Sequence, residues 1–173
     1  YTLHETLKVG DGNVETTIEK ELELTKCYLD IQRYRYPDFF QVEVVCEEDL
    51  KDCLVPKTMI QPLVENAVFH GLEQKIENGT VWVHVFSPDH ATLCFVVEDD
   101  GCGIEPERLK QILASLEIEK NTTKIGVFNI YQRLKLYYDD KFSFDIKSSL
   151  KKGTCITISI PRESTAEPEG SIL

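Results

Sequence analysis

The stretch that decides the fold is VWVHVFSPDHATLCFVVEDDGCGI, residues 81–104. Val81, Val83 and Val85 alternate with Trp82, His84 and Phe86, which is the pattern of a strand with one buried face. Pro88 to His90 supply a turn and Thr92 to Val97 a second strand, so the two form a hairpin with His84 and His90 on its surface. The second strand runs into Glu98-Asp99-Asp100-Gly101-Cys102-Gly103-Ile104 and then a helix over 105–116.

Working outward, Ile125 to Tyr138 is helical, and Phe142 to Lys147 with Thr154 to Ile160 make another hairpin around Lys151-Lys152-Gly153. Thr154, Ile156, Ile158 and Ile160 share one face of it. Toward the N-terminus, Gln41 to Cys46 alternates like a strand, and Pro56 to Gly71 reads as a helix with Pro56 near its start and Gly71 at its end. From Thr16 to about Arg35, Ile18, Leu22 and Leu29 recur at helical spacing beside a second stripe of Leu24, Tyr28 and Ile31; Thr16 or Thr17 is the N-cap and Pro37 the stop. Residues 1–15, with Gly10 and Gly12, read as a flexible connection that need not pack on the core, and the tail after Pro161 as disordered.

Strands joined by hairpins, with helices grouped between them, predict an α+β two-layer sandwich: a mostly antiparallel mixed sheet covered on one face by helices. A Rossmann or P-loop fold is disfavoured, because neither G-x-G-x-x-G nor G-x-x-x-x-G-K-[ST] occurs.

Composition narrows the function classes. At 173 residues and 42% hydrophobic, the chain suits one domain with a sizeable core. A net charge of -11 argues against nucleic acid or an anionic membrane surface as partner, since both reward clustered Lys and Arg. The six cysteines are scattered without a C-x-x-C pair, which predicts reduced, mostly buried thiols rather than disulfides or zinc. No run approaches the roughly 18 apolar residues of a membrane span. A first residue of Tyr1 and a single methionine, Met59, suggest an internal piece of a longer protein.

Three segments carry candidate chemistry. In Gln61-Pro62-Leu63-Val64-Glu65-Asn66-Ala67-Val68-Phe69-His70-Gly71, polar Glu65, Asn66 and His70 interrupt an apolar helix, with Asn66 and His70 on one face; a half-exposed helix with a polar edge explains this equally well. In Asp99-Asp100-Gly101-Cys102-Gly103, paired glycines permit close approach of backbone to a flat ligand, and a buried carboxylate accepts from an exocyclic amine such as that of adenine. A plain Asp-Gly turn accounts for Asp100-Gly101 but not for the second glycine. In Lys124-Ile125-Gly126-Val127-Phe128-Asn129-Ile130-Tyr131-Gln132-Arg133-Leu134, a glycine opens a helix whose free N–H groups suit phosphate, with Lys120, Lys124 and Arg133 nearby; an ordinary helix start with solvated lysines is the plainer alternative.

In order and spacing these segments resemble the N, G1 and G2 boxes of the GHKL nucleotide-binding fold, and most closely LytS/YesM-like sensor histidine kinases. The likeness extends to Gly153-Thr154 and to Glu21-Leu22-Glu23-Leu24 with Tyr28-Leu29 and Ile31-Gln32, and covers about residues 16–161. It implies an ATP- and Mg²⁺-using catalytic domain over 36–162, preceded in 1–35 by a remnant of the dimerisation and phosphoacceptor segment with its connecting helix, and followed by a disordered tail over 163–173. Asp99 would bind the adenine amino group, with Gly101, Gly103 and Thr154 shaping the pocket, and Asn66 would coordinate Mg²⁺. Lys124, Gly126, Asn129 and Arg133 would contact nucleotide, residues 105–126 would form a lid, and Glu65 and His70 would assist catalysis near the phosphates. The γ-phosphate would pass to a histidine on the dimerisation segment of the same homodimeric kinase and then to a response regulator. The family's Asn-Pro-His-Phe-type acceptor motif is absent here, so the fragment would bind ATP and do little with it. The parent would be a membrane-anchored bacterial sensor with this domain in the cytoplasm and out of contact with the bilayer.

Two positions depart from the family pattern. Lys124 stands where the G2 box usually has a further glycine, and Pro62 stands where ATP-hydrolysing members of the fold place a general-base glutamate. The first leaves open a non-enzymatic interaction domain; the second disfavours an ATPase of the chaperone, gyrase or mismatch-repair type.

Overall fold

The computed structural model describes residues 14–37, 39–72, 78–117 and 126–162. The hairpin of residues 81–104 is its centre. Strands β4 (Gly79–Phe86) and β5 (Thr92–Asp99) pair antiparallel, Val83 opposite Val97, with Val81, Val83 and Val85 buried and Trp82 and His84 exposed. The second hairpin, β6 (Ser143–Ser149) and β7 (Gly153–Pro161), joins through β7, which runs antiparallel to β5. On the other side β4 pairs with β2 (Phe40–Cys46) in parallel, giving a mixed sheet of five strands in the order β2-β4-β5-β7-β6.

Among the described residues, four α-helices form the second layer: α1 (Ile18–Arg35), α2 (Ile60–Asn66), α3 (Pro106–Glu117) and α4 (Gly126–Tyr138). The sheet residues Val83, Phe95, Ile158 and Ile160 bury against Leu63, Val64, Ile130 and Leu134 of this layer. At roughly 1.5–3 kcal/mol for each fully buried side chain, this shared face is the main stabilising term. The expected α+β sandwich is the observed one, with a mixed sheet.

Four local differences have physical causes. Pro56 does not begin the N-box helix; it ends a three-residue strand, β3 (Leu54–Pro56), that pairs antiparallel with β1 (Glu15–Thr17). A proline at such a two-stranded edge forfeits no necessary ladder bond, and Thr58, at φ 62, breaks the chain direction before α2 begins at Ile60. Beyond Asn66 the helix widens into a π turn over Ala67–Leu72 rather than ending at Gly71. Val14 packs against the core and Glu15 lies in β1, so the stretch expected to stay off the core is held at its C-terminal end. Finally, of the six cysteines, all free thiols, Cys94 is buried and Cys27 exposed, while the other four are half-buried: Cys46 and Cys53 pack at the margin of the core, and Cys155 is on the outer face of the sheet, paired with Glu98 and Lys147.

Thr17 caps α1, its Oγ1 accepting from Lys20 N at 3.3 Å. Of the two stripes on that helix, Ile18, Leu22 and Leu29 are buried, whereas Leu24 and Ile31 are exposed. The helix therefore packs into the same core as the sheet that follows it. No described helix is long and apolar enough to cross a membrane. Residues 1–13 and 163–173, for which a frayed end and a disordered tail are expected, lie outside the described residues.

Candidate functional site: a cavity at the end of the central hairpin

The inward alternation of β5 does not stop where its apolar residues stop. Leu93, Phe95 and Val97 face the helices, and the next residue in that series is Asp99, which is 4% exposed. Burial raises its carboxyl pKa to about 6, despite hydrogen bonds from the Gly101 and Thr154 backbone N–H groups that favour the charged form. Gly101 N donates to Asp99 Oδ1 at 2.9 Å. Asp100 points the other way: its Oδ1 accepts from Thr80 N at 2.8 Å, which pins the turn to β4. A carboxylate on the core face of a strand, beside an open cavity, is a binding feature rather than a packing one.

The cavity has a volume of about 500 Å³, in the range of small-ligand sites. Asp99, Asn66 and Thr154 supply polar groups to its lining, and Leu63, Ala67, Val97, Val127, Ile146 and Ile156 supply apolar walls. Gly103 lies at its rim with φ 68, where a Cβ would sit 1.9 Å from the Ser149 carbonyl oxygen. The glycine-rich loop thus lies directly on the β6–β7 turn, and Lys151 N donates to Cys102 O at 2.7 Å. Gly103, the second glycine of the pair, serves this close backbone approach, which an Asp-Gly turn alone would not need, whereas Gly101 is off the cavity wall and donates its N–H to Asp99.

Ser148 ties the parts together. Its Oγ accepts from Ile104 N at 2.8 Å, donates to Gly153 O at 3.0 Å, and lies 2.8 Å from Thr154 Oγ1. With the Ser148 proton engaged by Gly153 O, Thr154 is the donor in that last pair. Ser148 carries no motif signal, because an alternating serine in a half-exposed strand looks like any surface residue. Glu105 and Arg108, which the sequence reading includes only within a lid over 105–126 and does not single out, line the cavity at the start of α3 and just before it.

The first and third motifs meet as well. A Cβ built on Gly126, at the start of α4, would lie 3.4 Å from Asn66 Nδ2 and 3.5 Å from its Oδ1. That Nδ2 is buried without a hydrogen-bond partner among the described residues. An amide left unpaired at a cavity wall has unused coordinating or hydrogen-bonding capacity, and which of its two atoms faces the cavity is settled by what binds there. The residues present therefore fit a nucleotide with its cation: a buried acceptor, apolar walls for a flat ring, and an unpaired amide beside a helix start.

Not every expected residue joins them. Glu65, next to Asn66 but about 100° around the helix, is not on the cavity wall; its Oε1 accepts from Gln61 Nε2 at 2.8 Å. It also faces Tyr28 of α1, whose hydroxyl is pushed up to about 12, first by burial and then by the Glu65 charge. Asn129 is exposed and off the wall. The Arg133 guanidinium donates to the carbonyl oxygens of Lys57 and Thr58, the latter at 3.1 Å, away from the cavity. Lys120 and Lys124 lie outside the described residues; the backbone of His70 lies in the π turn, and its side chain is not described.

Comparison with known proteins decides what this site belongs to. Residues 52–164 match the family described as histidine kinase-, DNA gyrase B- and HSP90-like ATPases. The chain belongs to this ATPase family. Within it, the sensor protein LytS of Bacillus cereus is 36% identical over 152 residues, covering 88% of this chain and 26% of LytS. The sensor histidine kinase YesM of Bacillus subtilis is 30% identical over 145 residues, covering 84% of this chain and 24% of YesM. The chain thus spans about a quarter of the length of the curated relatives it matches. Among solved structures, the histidine kinase domain of the Erythrobacter litoralis blue-light activated histidine kinase has a TM-score of 0.59 at 18% identity, covering 90% of this chain and 71% of that one. The mycobacterial sensor histidine kinase MprB has a TM-score of 0.57 at 18% identity, covering 86% of this chain and 96% of that one. These likenesses support the fold, and the sequence relatives support an ATP-binding catalytic domain of the two-component sensor kinase type.

Proposed function

We propose that the cavity binds ATP with Mg²⁺ and that the domain, 36–162 with α1 docked on it, donates the γ-phosphate to a histidine on a dimerisation segment of the same homodimeric kinase. The observation that carries this reading is the buried Asp99 carboxylate at the cavity end of β5. It accepts from the exocyclic amine of adenine while the ring lies between the apolar walls and the glycine loop. Thr154, oriented by Ser148, supports the same end of the pocket. Asn66 would hold Mg²⁺, which neutralises phosphate charge when bound and needs few protein ligands. The N–H groups at the start of α4 face the same region and suit phosphate oxygens.

Phosphoryl transfer asks a protein for positioning and charge neutralisation more than for covalent chemistry. An imidazole nitrogen of the acceptor attacks the γ-phosphorus as the bond to the β-phosphate oxygen breaks and ADP leaves. The phosphoryl group then passes to an aspartate of a response regulator. Transfer is favoured over hydrolysis because Pro62 occupies the place of a water-activating carboxylate, and the neighbouring Glu65 is engaged by Gln61. A membrane-anchored parent with this domain in the cytoplasm accords with the sensor-protein names of the relatives.

Calorimetry with a non-hydrolysable ATP analogue, with and without Mg²⁺, tests the site, and a separately supplied phosphoacceptor segment tests the transfer. Asn66→Ala is expected to remove most of the affinity gained on adding Mg²⁺, about tenfold or more, while adenosine binding stays within about twofold. Equal losses for adenosine and Mg²⁺·ATP would remove Asn66 from the metal role. Steady-state hydrolysis well above background by the domain alone would count against the kinase reading.

A further inference from the structure

Helix α2 carries Asn66 at its C-terminal end, yet its N-terminus lacks a cap of its own: Met59 makes no side-chain capping bond. The first N–H groups of any helix need acceptors. Here they find one on another helix. Glu21 of α1 is only 2% exposed, and its Oε1 accepts from Thr58 N at 2.6 Å while its Oε2 accepts from Met59 N at 2.9 Å and Ile60 N at 3.2 Å. Three charge-assisted bonds on one buried carboxylate make a strong junction, reinforced by the positive end of the helix.

The same loop is gripped from the opposite side. Arg133 of α4 donates to the Lys57 and Thr58 carbonyl oxygens, and Thr58 sits at φ 62, a conformation that a threonine keeps only when its surroundings impose it. Lys57 N also donates to Val14 O at 3.0 Å, where the described chain enters. Helix α2 therefore meets α4 at both ends, bonded through Arg133 at the loop and lying beside Gly126 at Asn66, so the two helices run antiparallel.

We propose that Glu21 and Arg133 form a positioning clamp that sets the helix bearing Asn66 and couples the orientation of α1 to the phosphate end of the nucleotide site. Neither residue touches nucleotide; both act through the loop of residues 57–60. This assigns Arg133 a role distinct from the nucleotide contact that its motif implies, and it gives the incoming segment a route to the site. A shift of α1 drags three N–H groups at one end of a helix only about 10 Å long, and Asn66 is at the other end. The clamp's effect on binding rests on the nucleotide reading of the cavity; its effect on α2 does not.

The test uses Glu21→Gln and Arg133→Leu in the whole chain, with hydrogen exchange and calorimetry on each. Glutamine keeps the shape of Glu21 but turns an N–H₂ toward donors, so it cannot serve both oxygens' partners. Expected for both variants is faster amide exchange over 59–66, with the β4–β5 ladder unchanged. Mg²⁺·ATP affinity should fall about tenfold while adenosine affinity stays within about twofold, and Arg133→Lys should recover part of the Arg133→Leu loss. Should Glu21→Gln fail to fold, exposed Arg133 carries the test. Unchanged exchange with weakened ATP binding would make Arg133 a direct ligand and overturn the clamp. Equal loss of adenosine and Mg²⁺·ATP would reduce it to general stability and overturn the coupling. If the unaltered chain binds neither ligand, the nucleotide reading and the coupling built on it both fail; the exchange measurement then decides separately whether Glu21 and Arg133 hold α2.

Discussion

Replacing Asp99 with Asn is expected to weaken ATP binding by about 100-fold or more while making the nucleotide-free domain more stable at pH 7. The loss follows from chemistry at one atom pair. A buried carboxylate offers only acceptors, whereas Asn presents either an N–H₂ facing the adenine amine or a single oxygen with its partner displaced, and buried sites that mismatch donors discriminate strongly. The gain in stability has the opposite origin. Burial raises the Asp99 pKa from the ordinary 3.8 to about 6, so the native domain keeps a proton that the unfolded chain has already released. Stability therefore falls as pH rises from about 4 to about 6, and the full deficit, on the order of 2 kcal/mol, is present at neutral pH. Asparagine has no such charge to bury. Thermal melts of both proteins across pH 4 to 8 should show this slope in the parent and a flatter one in the variant. Because an amine donor favours the ionised carboxylate, nucleotide affinity in the parent should rise with pH through about 6. A variant that binds ATP as well as the parent would remove Asp99 from the base-recognition role.

The second large effect is on the fold. Gly153→Ala is expected to cost about 3 kcal/mol or more, lowering the melting temperature by roughly 6–12 °C for a chain of this size. Gly153 has φ 91, and a Cβ there would lie 1.7 Å from the Asp99 carbonyl oxygen and 2.9 Å from Asp100 Cα. The obstacle is backbone, which has no rotamer to change, so β5 and β7 must separate where they pair Asp99 with Thr154. Nucleotide binding should be lost with it. Alanine at Gly126 would make a useful contrast, since its Cβ would meet only the Asn66 side-chain amide at ordinary contact distance. Equal stability of the Gly153→Ala variant and the parent in a melt would refute this account of the β6–β7 turn.

Much of this molecule is written locally. The alternation of Val81, Val83 and Val85 specifies a half-buried strand whatever follows, and Asp99 inherits its inward direction from that period, counting on from Leu93, Phe95 and Val97. The stripe of Ile18, Leu22 and Leu29 likewise specifies which side of α1 packs inward. The fold class and the chemistry of the G1 loop were legible for that reason: side-chain period and the need for glycine are properties of short segments.

Other features depend on partners far along the chain. Pro56 looks like a helix start until β1 arrives to pair with it. Glu65, Asn129 and Arg133 sit inside motifs that resemble a nucleotide site, yet helical rotation turns them away from the cavity, and only the packed neighbours show which face of each helix is wall. Ser148 gives no signal in isolation, and Glu21 belongs to a stretch that resembles the family's leading helix without showing what its carboxylate holds, because a serine in a strand and a glutamate in an acidic helix are ordinary residues. Their partners, Ile104 and Thr154 for one and Thr58 to Ile60 for the other, are brought to them by the sheet and the helix layer. The sequence by itself determined the two hairpins, the inward stripe of α1 and where a carboxylate and glycines meet, since these follow from local period and backbone freedom. The tertiary structure alone decided which polar groups share the cavity and which hold its walls in place, because hydrogen bonds between distant segments exist only once the hydrophobic layers have packed.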